Sequence, residues 1–306
     1  MKSQTHFEKP ALSLAAVPGR RQRTLELAKE IEARGYSGIY CPSFGDCMSL
    51  CLSIAFVTDR IKFGTSVAPI YFRTVEDFAQ SASFIHEVSK GRFQFGIGVS
   101  HEPVLASRGI KGGQPLKAIR TFVDQFRATR RAGELPPIVL AALRKKMIML
   151  AGDISSGLVF ANAVRSYMTE SLSVLPTLHP GAEPFFVGNM IPTCIDSDLS
   201  ACRAVLRKTL KNYVRLPNYR NYWKAAGYTE EMNDVEQTLL QGDDDRVEEC
   251  LSDRWLADTT IAGPRNRLRE SLEAWADVGV TTPILVPNSV GGGQLQAFTA
   301  LFKAFD

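Results

Sequence analysis

No C-x-x-C pair occurs among the six cysteines, and no stretch approaches the roughly 18 apolar residues that a membrane-spanning helix needs. The first absence removes zinc-ribbon and thioredoxin-like readings for Cys41, Cys47, Cys51, Cys194, Cys202 and Cys250. Cys47 and Cys51 lie four apart on one face of a predicted helix, but no His or carboxylate stands at matching spacing. Buried structural thiols are therefore expected, and no metal site. A dominant charge is also missing: 36 Lys and Arg face 32 Asp and Glu, a net +4. The basic clusters Arg20-Arg21-Gln22-Arg23 and Arg144-Lys145-Lys146 have no aromatics between them, which argues against nucleic-acid binding. The first residues carry no apolar signal core, so a reducing cytoplasm is the expected location. A dinucleotide fingerprint is absent as well. Pro18-Gly19-Arg20-Arg21 is not G-x-G-x-x-G, and Gly96 and Gly98 sit inside a predicted strand with no third glycine at the right spacing.

What is present is a regular beat. The 306 residues, 45% of them hydrophobic, suffice for one α/β barrel of roughly 250 residues plus insertions. Short apolar runs read as strands at 10–17, 37–42, 61–67, 92–99, 138–142, 157–162, 185–190 and 282–286. Helical patterns fall between them. Leu27, Ala28 and Ile31 share a face of a helix over 21–34, stopped by Gly35. Ile119, Phe122, Val123 and Phe126 follow i, i+3, i+4, i+7. Further helices are expected at 47–58, 75–88, 146–154, 199–213 and 294–305, and around Leu268, Leu272 and Trp275. The beat lapses between Leu216 and Leu256, where aromatics, Pro217 and Asp243-Asp244-Asp245 suggest a helical insertion. Eight strands alternating with helices predict an α/β fold of the (β/α)8 TIM-barrel class. It would form one domain over 1–306, with the insertion at about 214–258.

Two strands change from apolar to small and polar at their C-terminal ends: Ile61-Lys62-Phe63-Gly64-Thr65-Ser66-Val67 and Arg92-Phe93-Gln94-Phe95-Gly96-Ile97-Gly98-Val99-Ser100-His101. In α/β folds that end builds the site. His101 has a side chain suited to proton donation or hydrogen bonding near neutral pH; a loop histidine at a helix start is the plain alternative. The other histidines, His6, His86 and His179, fall at the terminus, in a helix and in a loop.

These stretches, together with Gly35-Tyr36-Ser37-Gly38-Ile39-Tyr40, Thr58-Asp59-Arg60-Ile61-Lys62-Phe63-Gly64-Thr65-Ser66-Val67, Ser89-Lys90-Gly91-Arg92-Phe93, Pro137-Ile138-Val139-Leu140-Ala141 and Ala262-Gly263-Pro264, resemble the bacterial-luciferase-like superfamily of flavin- and deazaflavin-dependent oxidoreductases. Gly98-Val99-Ser100-His101 and Leu216-Pro217-Asn218-Tyr219 resemble the branch that uses coenzyme F420. The resemblance implies a cofactor ring packed against a non-proline cis peptide, here Ser66-Val67, beside Thr65. Gly98 would make room for the ring, with Ser100 and His101 touching it. It implies a phosphate site after the fifth strand, at Ala142-Leu143-Arg144, with Gly157 on the same side. Related chains carry Gly-Pro where this one has Arg144-Lys145, so either cationic side chains take over the phosphate or the site is altered. Asp46 matches an acidic position near the ring, and equally reads as the N-cap of the following helix. Arg73 could meet an anion or pack on a helix. The aromatics Tyr219, Tyr222, Trp223 and Tyr228 could cover a pocket or pack the insertion. The implied activity is hydride transfer with F420 to or from a small organic substrate, with His101 as the catalytic candidate. An FMN-dependent monooxygenase fed by a separate flavin reductase is the alternative, and a non-catalytic accessory subunit the third. A homodimer is expected from the resemblance alone.

Overall fold

The computed structural model describes residues 9–175 and 184–306; His6 and His179 lie outside them. The fold is α/β, of the (β/α)8-barrel class, and every strand pairing given below is parallel. The chain divides into two compact units. The first runs to Ala141 and includes Ile154–Gly157; the second holds Ala142–Asp153 and Leu158 onward.

The first unit contains β1 (Ala11–Ser13), α1 (Arg21–Ala33), β2 (Gly38–Cys41), α2 (Cys47–Val57), β3 (Lys62–Thr65), β4 (Ala68–Pro69), α3 (Val75–Val88), β5 (Phe93–Gly98), α4 (Glu102–Ala106), α5 (Pro115–Ala128) and β6 (Ile138–Ala141). Its strands are buried almost throughout, as parallel strands covered on both faces must be. Phe95 stacks on Phe126 at 5.2 Å and meets Phe78 at 5.5 Å, so β5, α5 and α3 share one aromatic core. Thr74 starts α3 by accepting the Asp77 N–H, a cap that satisfies one otherwise orphaned donor. The strand expected at 61–67 ends earlier. Gly64 pairs with Gln94 and Ala68 with Ile97, so four steps along one chain face three along β5. One extra residue is inserted, a bulge that bends the chain out of the ladder at Thr65–Val67.

The base of β3 is held by two charged side chains. Glu32 accepts the backbone N–H groups of Asp59, Arg60 and Ile61. Arg92 donates five hydrogen bonds, four of them to backbone carbonyls, those of Ala55, Thr58, Ile61 and Ser89.

The second unit contains α6 (Lys145–Ile154), β7 (Gly157–Ala161), α7 (Met168–Leu172), β8 (Phe186–Ile195), α8 (Leu199–Val214), α9 (Pro217–Ala225), α10 (Thr229–Leu240), α11 (Asp253–Thr259), β9 (Ile261–Gly263), α12 (Leu268–Asp277), β10 (Thr282–Asn288) and α13 (Gln294–Phe305), except that Ile154 and Gly157, end residues of α6 and β7, are counted in the first. β8 is longer than the 185–190 expected. It pairs with β10 from Gly188 to Cys194 and with β9 from Thr193 to Ile195. The stretch without a beat is helical, α9 to α11. Tyr219, Tyr222, Trp223 and Tyr228 are all buried, so these rings pack the insertion. Trp223 meets Trp255 edge-on at 4.9 Å.

Candidate functional site

In the first unit the ends of β3 and β5 meet. The Thr65 hydroxyl donates to the Gly96 carbonyl at 2.6 Å, and the Ser66 N–H donates to the Cys41 carbonyl at 2.7 Å. The peptide between Ser66 and Val67 is cis. Pro69 pairs with Gly98, and the Ile70 N–H donates to the Gly98 carbonyl. The glycines of β5 lie where neighbouring chain comes closest. A Cβ on Gly96 would stand 1.9 Å from the Thr65 oxygen, and one on Gly98 would stand 2.9 Å from Val67 Cγ2 and 3.0 Å from Ala141 Cβ. They admit the neighbouring chain at these two points. Close backbone approach is what glycine permits and other residues forbid.

Past Gly98 the chain turns sharply. Ser100 takes φ +66°, a left-handed conformation uncommon outside glycine. His101 then stands at the N-cap of α4, its carbonyl accepting from the Val104 and Leu105 N–H groups. Its imidazole makes no capping hydrogen bond and is half-buried. Burial disfavours its charged form and pulls its pKa below the ordinary value. A neutral imidazole at the C-terminal end of a barrel strand can donate one hydrogen bond and accept another.

Asp46 is occupied as the cap of α2. Its Oδ1 accepts from the Met48 and Ser49 N–H groups at 3.1 Å, and its Oδ2 from the Ser49 hydroxyl at 2.6 Å. Arg73 donates to both oxygens, at 3.0 and 3.1 Å. Burial pushes this carboxyl up, but the Ser49 and Met48 donors and Arg73 outweigh it and hold the pKa below the ordinary carboxylate value. Arg73 itself is committed to Asp46 and Asp77.

Three buried thiols, Cys41, Cys47 and Cys51, lie at the end of β2 and in α2. Burial pushes Cys47 up to about 12 and Cys51 well above its ordinary value. Such thiols are inert packing groups. Among the described residues no group of His, Cys, Asp and Glu could hold a metal ion. The Gly157 carbonyl accepts from the Ser155 hydroxyl at 2.8 Å.

In the second unit, Ala142, Leu143 and Arg144 lead into α6. The Ala142 N–H donates to the Val159 carbonyl at 3.1 Å. The Arg144 carbonyl accepts from Met147 and Ile148, placing Arg144 at the helix start with its side chain exposed. Lys145 is paired: its ammonium lies 2.5 Å from Glu170 of α7. The two cations therefore differ, one neutralised and one facing solvent at a helix N-terminus, where anions are favoured. The turn after β7 was not singled out in the sequence. Its Ser166 donates through both N–H and hydroxyl to Asp258, 92 residues away, a contact with no local signal.

The chain belongs to the luciferase-like monooxygenase family, whose model matches residues 5–282. Its class is thus that of a luciferase-like oxidoreductase. A Mycobacterium tuberculosis protein named as a candidate coenzyme F420-dependent oxidoreductase is 23% identical over 280 residues, 76% of this chain and 80% of that one. Among solved structures, the coenzyme F420-dependent tetrahydromethanopterin reductase from Methanopyrus kandleri superposes with a TM-score of 0.76 at 16% identity, covering 97% of this chain and 98% of that one. The oxygenating constituent of 3,6-diketocamphane monooxygenase from Pseudomonas putida, in complex with FMN, gives 0.63 at 14% identity and 92% of each chain.

Proposed function

We propose that this protein is an oxidoreductase that uses reduced coenzyme F420 for hydride transfer to or from a small organic substrate. The observation that carries the reading is His101, half-buried with its charged form disfavoured, three residues past a β5 end that abuts Val67. The naming of the mycobacterial relative favours the deazaflavin. Bound, such a cofactor supplies the redox chemistry, and the protein supplies position and exclusion of water. In this reading Thr65, Ser66 and Val67 present a backbone wall to the ring. Ser100 and His101 hydrogen-bond to ring or substrate, and the imidazole holds or moves a proton there. The start of α6, with Ala142, Leu143 and Arg144, takes the phosphate. The donor chemistry fits: an exposed guanidinium and a ten-residue helix N-terminus suit an anion without a glycine-rich loop.

The second reading is an FMN-dependent monooxygenase supplied by a separate flavin reductase, favoured by the FMN-bound structural neighbour. A homodimer belongs to the same proposal. Phe56 of α2 and Phe84 of α3 are exposed apolar rings on helices that pack together. A titration with F420 and FMN, followed by oxygen uptake with the reduced form of whichever binds, separates the readings. F420 binding without oxygen consumption supports the first, and FMN binding with oxygen consumption the second. Binding of neither refutes both and leaves an accessory subunit.

A further inference from the structure

Asp258 sits on α11, the last helix of the insertion, and is only 8% exposed. No cation pairs with it among the ion pairs of the described residues. It is instead surrounded by donors. The Ser166 N–H reaches one oxygen at 3.0 Å, and the Ser166 hydroxyl and the Tyr228 hydroxyl reach the other at 2.5 and 2.8 Å. A buried carboxylate is tolerated only when its oxygens are satisfied in this way. Ser166 lies on the turn that leaves β7, and the insertion holds that turn at two more places. Trp223 Nε1 donates to the Asn162 carbonyl, and the Val164 N–H donates to the Tyr222 hydroxyl, each at 3.2 Å. Asn162, the first residue past the strand, has φ +56°, a left-handed conformation that asparagine adopts more readily than most residues, so the chain turns sharply as it leaves β7. The turn runs on into α7, where Glu170 holds Lys145 at the start of α6.

We propose that the insertion is a built-in part of the anion-binding end of the second unit, with Asp258 as a positioning residue. It fixes the Ser166 turn, the turn fixes α7, and Glu170 on α7 holds Lys145 so that Arg144 faces the anion. This rests on the reading that the α6 start takes the cofactor phosphate, but the clamp itself can be tested apart from it.

The experiment compares wild type with Asp258→Ala, Asp258→Asn and Ser166→Ala by amide hydrogen exchange and by fluorescence titration with F420 and FMN. Asp253→Asn serves as control, since Asp253 lies on the same helix but pairs at the surface with Arg203 and Arg207. Asp258→Ala is expected to speed exchange over 164–167 by about tenfold or more, as loss of charge-assisted hydrogen bonds allows, and to weaken cofactor binding about as much. Asp258→Asn keeps an acceptor for the Ser166 N–H and should restore most of both. Ser166→Ala should fall between, and the control should change neither. If Asp258→Ala does not fold, the Asn and Ser166 variants carry the test. Unchanged exchange over 164–167 overturns the clamp. Faster exchange with unchanged affinity overturns the positioning role. If wild type binds neither cofactor, the functional reading fails. The clamp then stands or falls on exchange alone.

Discussion

Replacing Arg92 should cost more stability than any other single surface-reaching charge in the first unit. Its guanidinium donates to Ala55, Thr58 and Ile61 carbonyls, to the Thr58 hydroxyl and to the Ser89 carbonyl, all at 2.9 to 3.0 Å. It also lies over the Phe63 ring at 5.2 Å. One side chain thus ties the end of α2, the start of β3 and the turn after α3 together. Burial lowers its pKa, so desolvation already costs something that these bonds must exceed. Each charge-assisted hydrogen bond contributes roughly 1.5–3 kcal/mol, but the five share one group and water can reach part of the site, so they do not add. A total near 3–4 kcal/mol for Arg92→Ala is the reasonable magnitude. At about 2–3 °C per kcal/mol for a chain of this size, Tm should fall by roughly 6–12 °C. Arg92→Lys offers three donors without the planar fork and should recover less than half of the loss. Thermal unfolding followed by intrinsic fluorescence measures both. A fall under about 2 °C for the alanine variant, or a lysine variant as stable as wild type, would refute the claim that the fork is what matters.

Other expectations follow from the same geometry. Glu32 is pushed up by burial, but the Arg60, Ile61 and Asp59 N–H groups outweigh that and its pKa is lowered. It therefore stabilises the fold above the ordinary glutamate range, and that stability is lost as pH falls through its depressed folded value. Acid titration of wild type should show it and Glu32→Gln should not; equal acid profiles would count against it. Gly96→Ala should prevent folding, measured as soluble yield, because a 1.9 Å contact with backbone cannot relax. Gly98→Ala meets a side chain instead, so Val67→Ala should rescue its Tm, and a failed rescue would place the conflict at Ala141. Because burial keeps the His101 imidazole neutral, the acid limb of kcat/KM should lie below the ordinary histidine value near 6.5 and disappear in His101→Asn. A limb at or above that value would deny the environment described. Arg144→Ala should weaken cofactor binding about tenfold by titration, since its exposed guanidinium stands at the start of α6; unchanged binding would deny it the phosphate.

How much of this was written in the sequence differs from element to element. α3 runs from Val75 to Val88 as expected because Thr74 supplies a cap and the apolar face repeats at helical spacing. α5 is read from Ile119, Phe122, Val123 and Phe126, all of which are buried. β8 reads short because Pro192 interrupts the run, and a proline argues against a strand interior. β9 and α4 escape notice because three and five residues are too few for a period to show. The site divides the same way. Ser66, Val67, Ser100 and His101 stand out because they are consecutive at strand ends. The long-range contacts that fix neighbouring turns do not: Glu32 lies 27 to 29 residues from the Asp59, Arg60 and Ile61 N–H groups it binds, and Asp258 lies 92 from Ser166. Periodicity reports what a segment buries; it is silent on which distant carboxylate a turn will find.

The burial of the thiols gives the molecule a practical asymmetry. Cys41, Cys47, Cys51, Cys194 and Cys202 are enclosed, whereas Cys250, just ahead of α11, is within reach of solvent. A maleimide dye added to the native, unmutated chain would therefore mark one position, three residues ahead of Asp253, where the helix that carries Asp258 begins. The insertion comes with its own reporter, and its response to a cofactor can be watched without altering a residue.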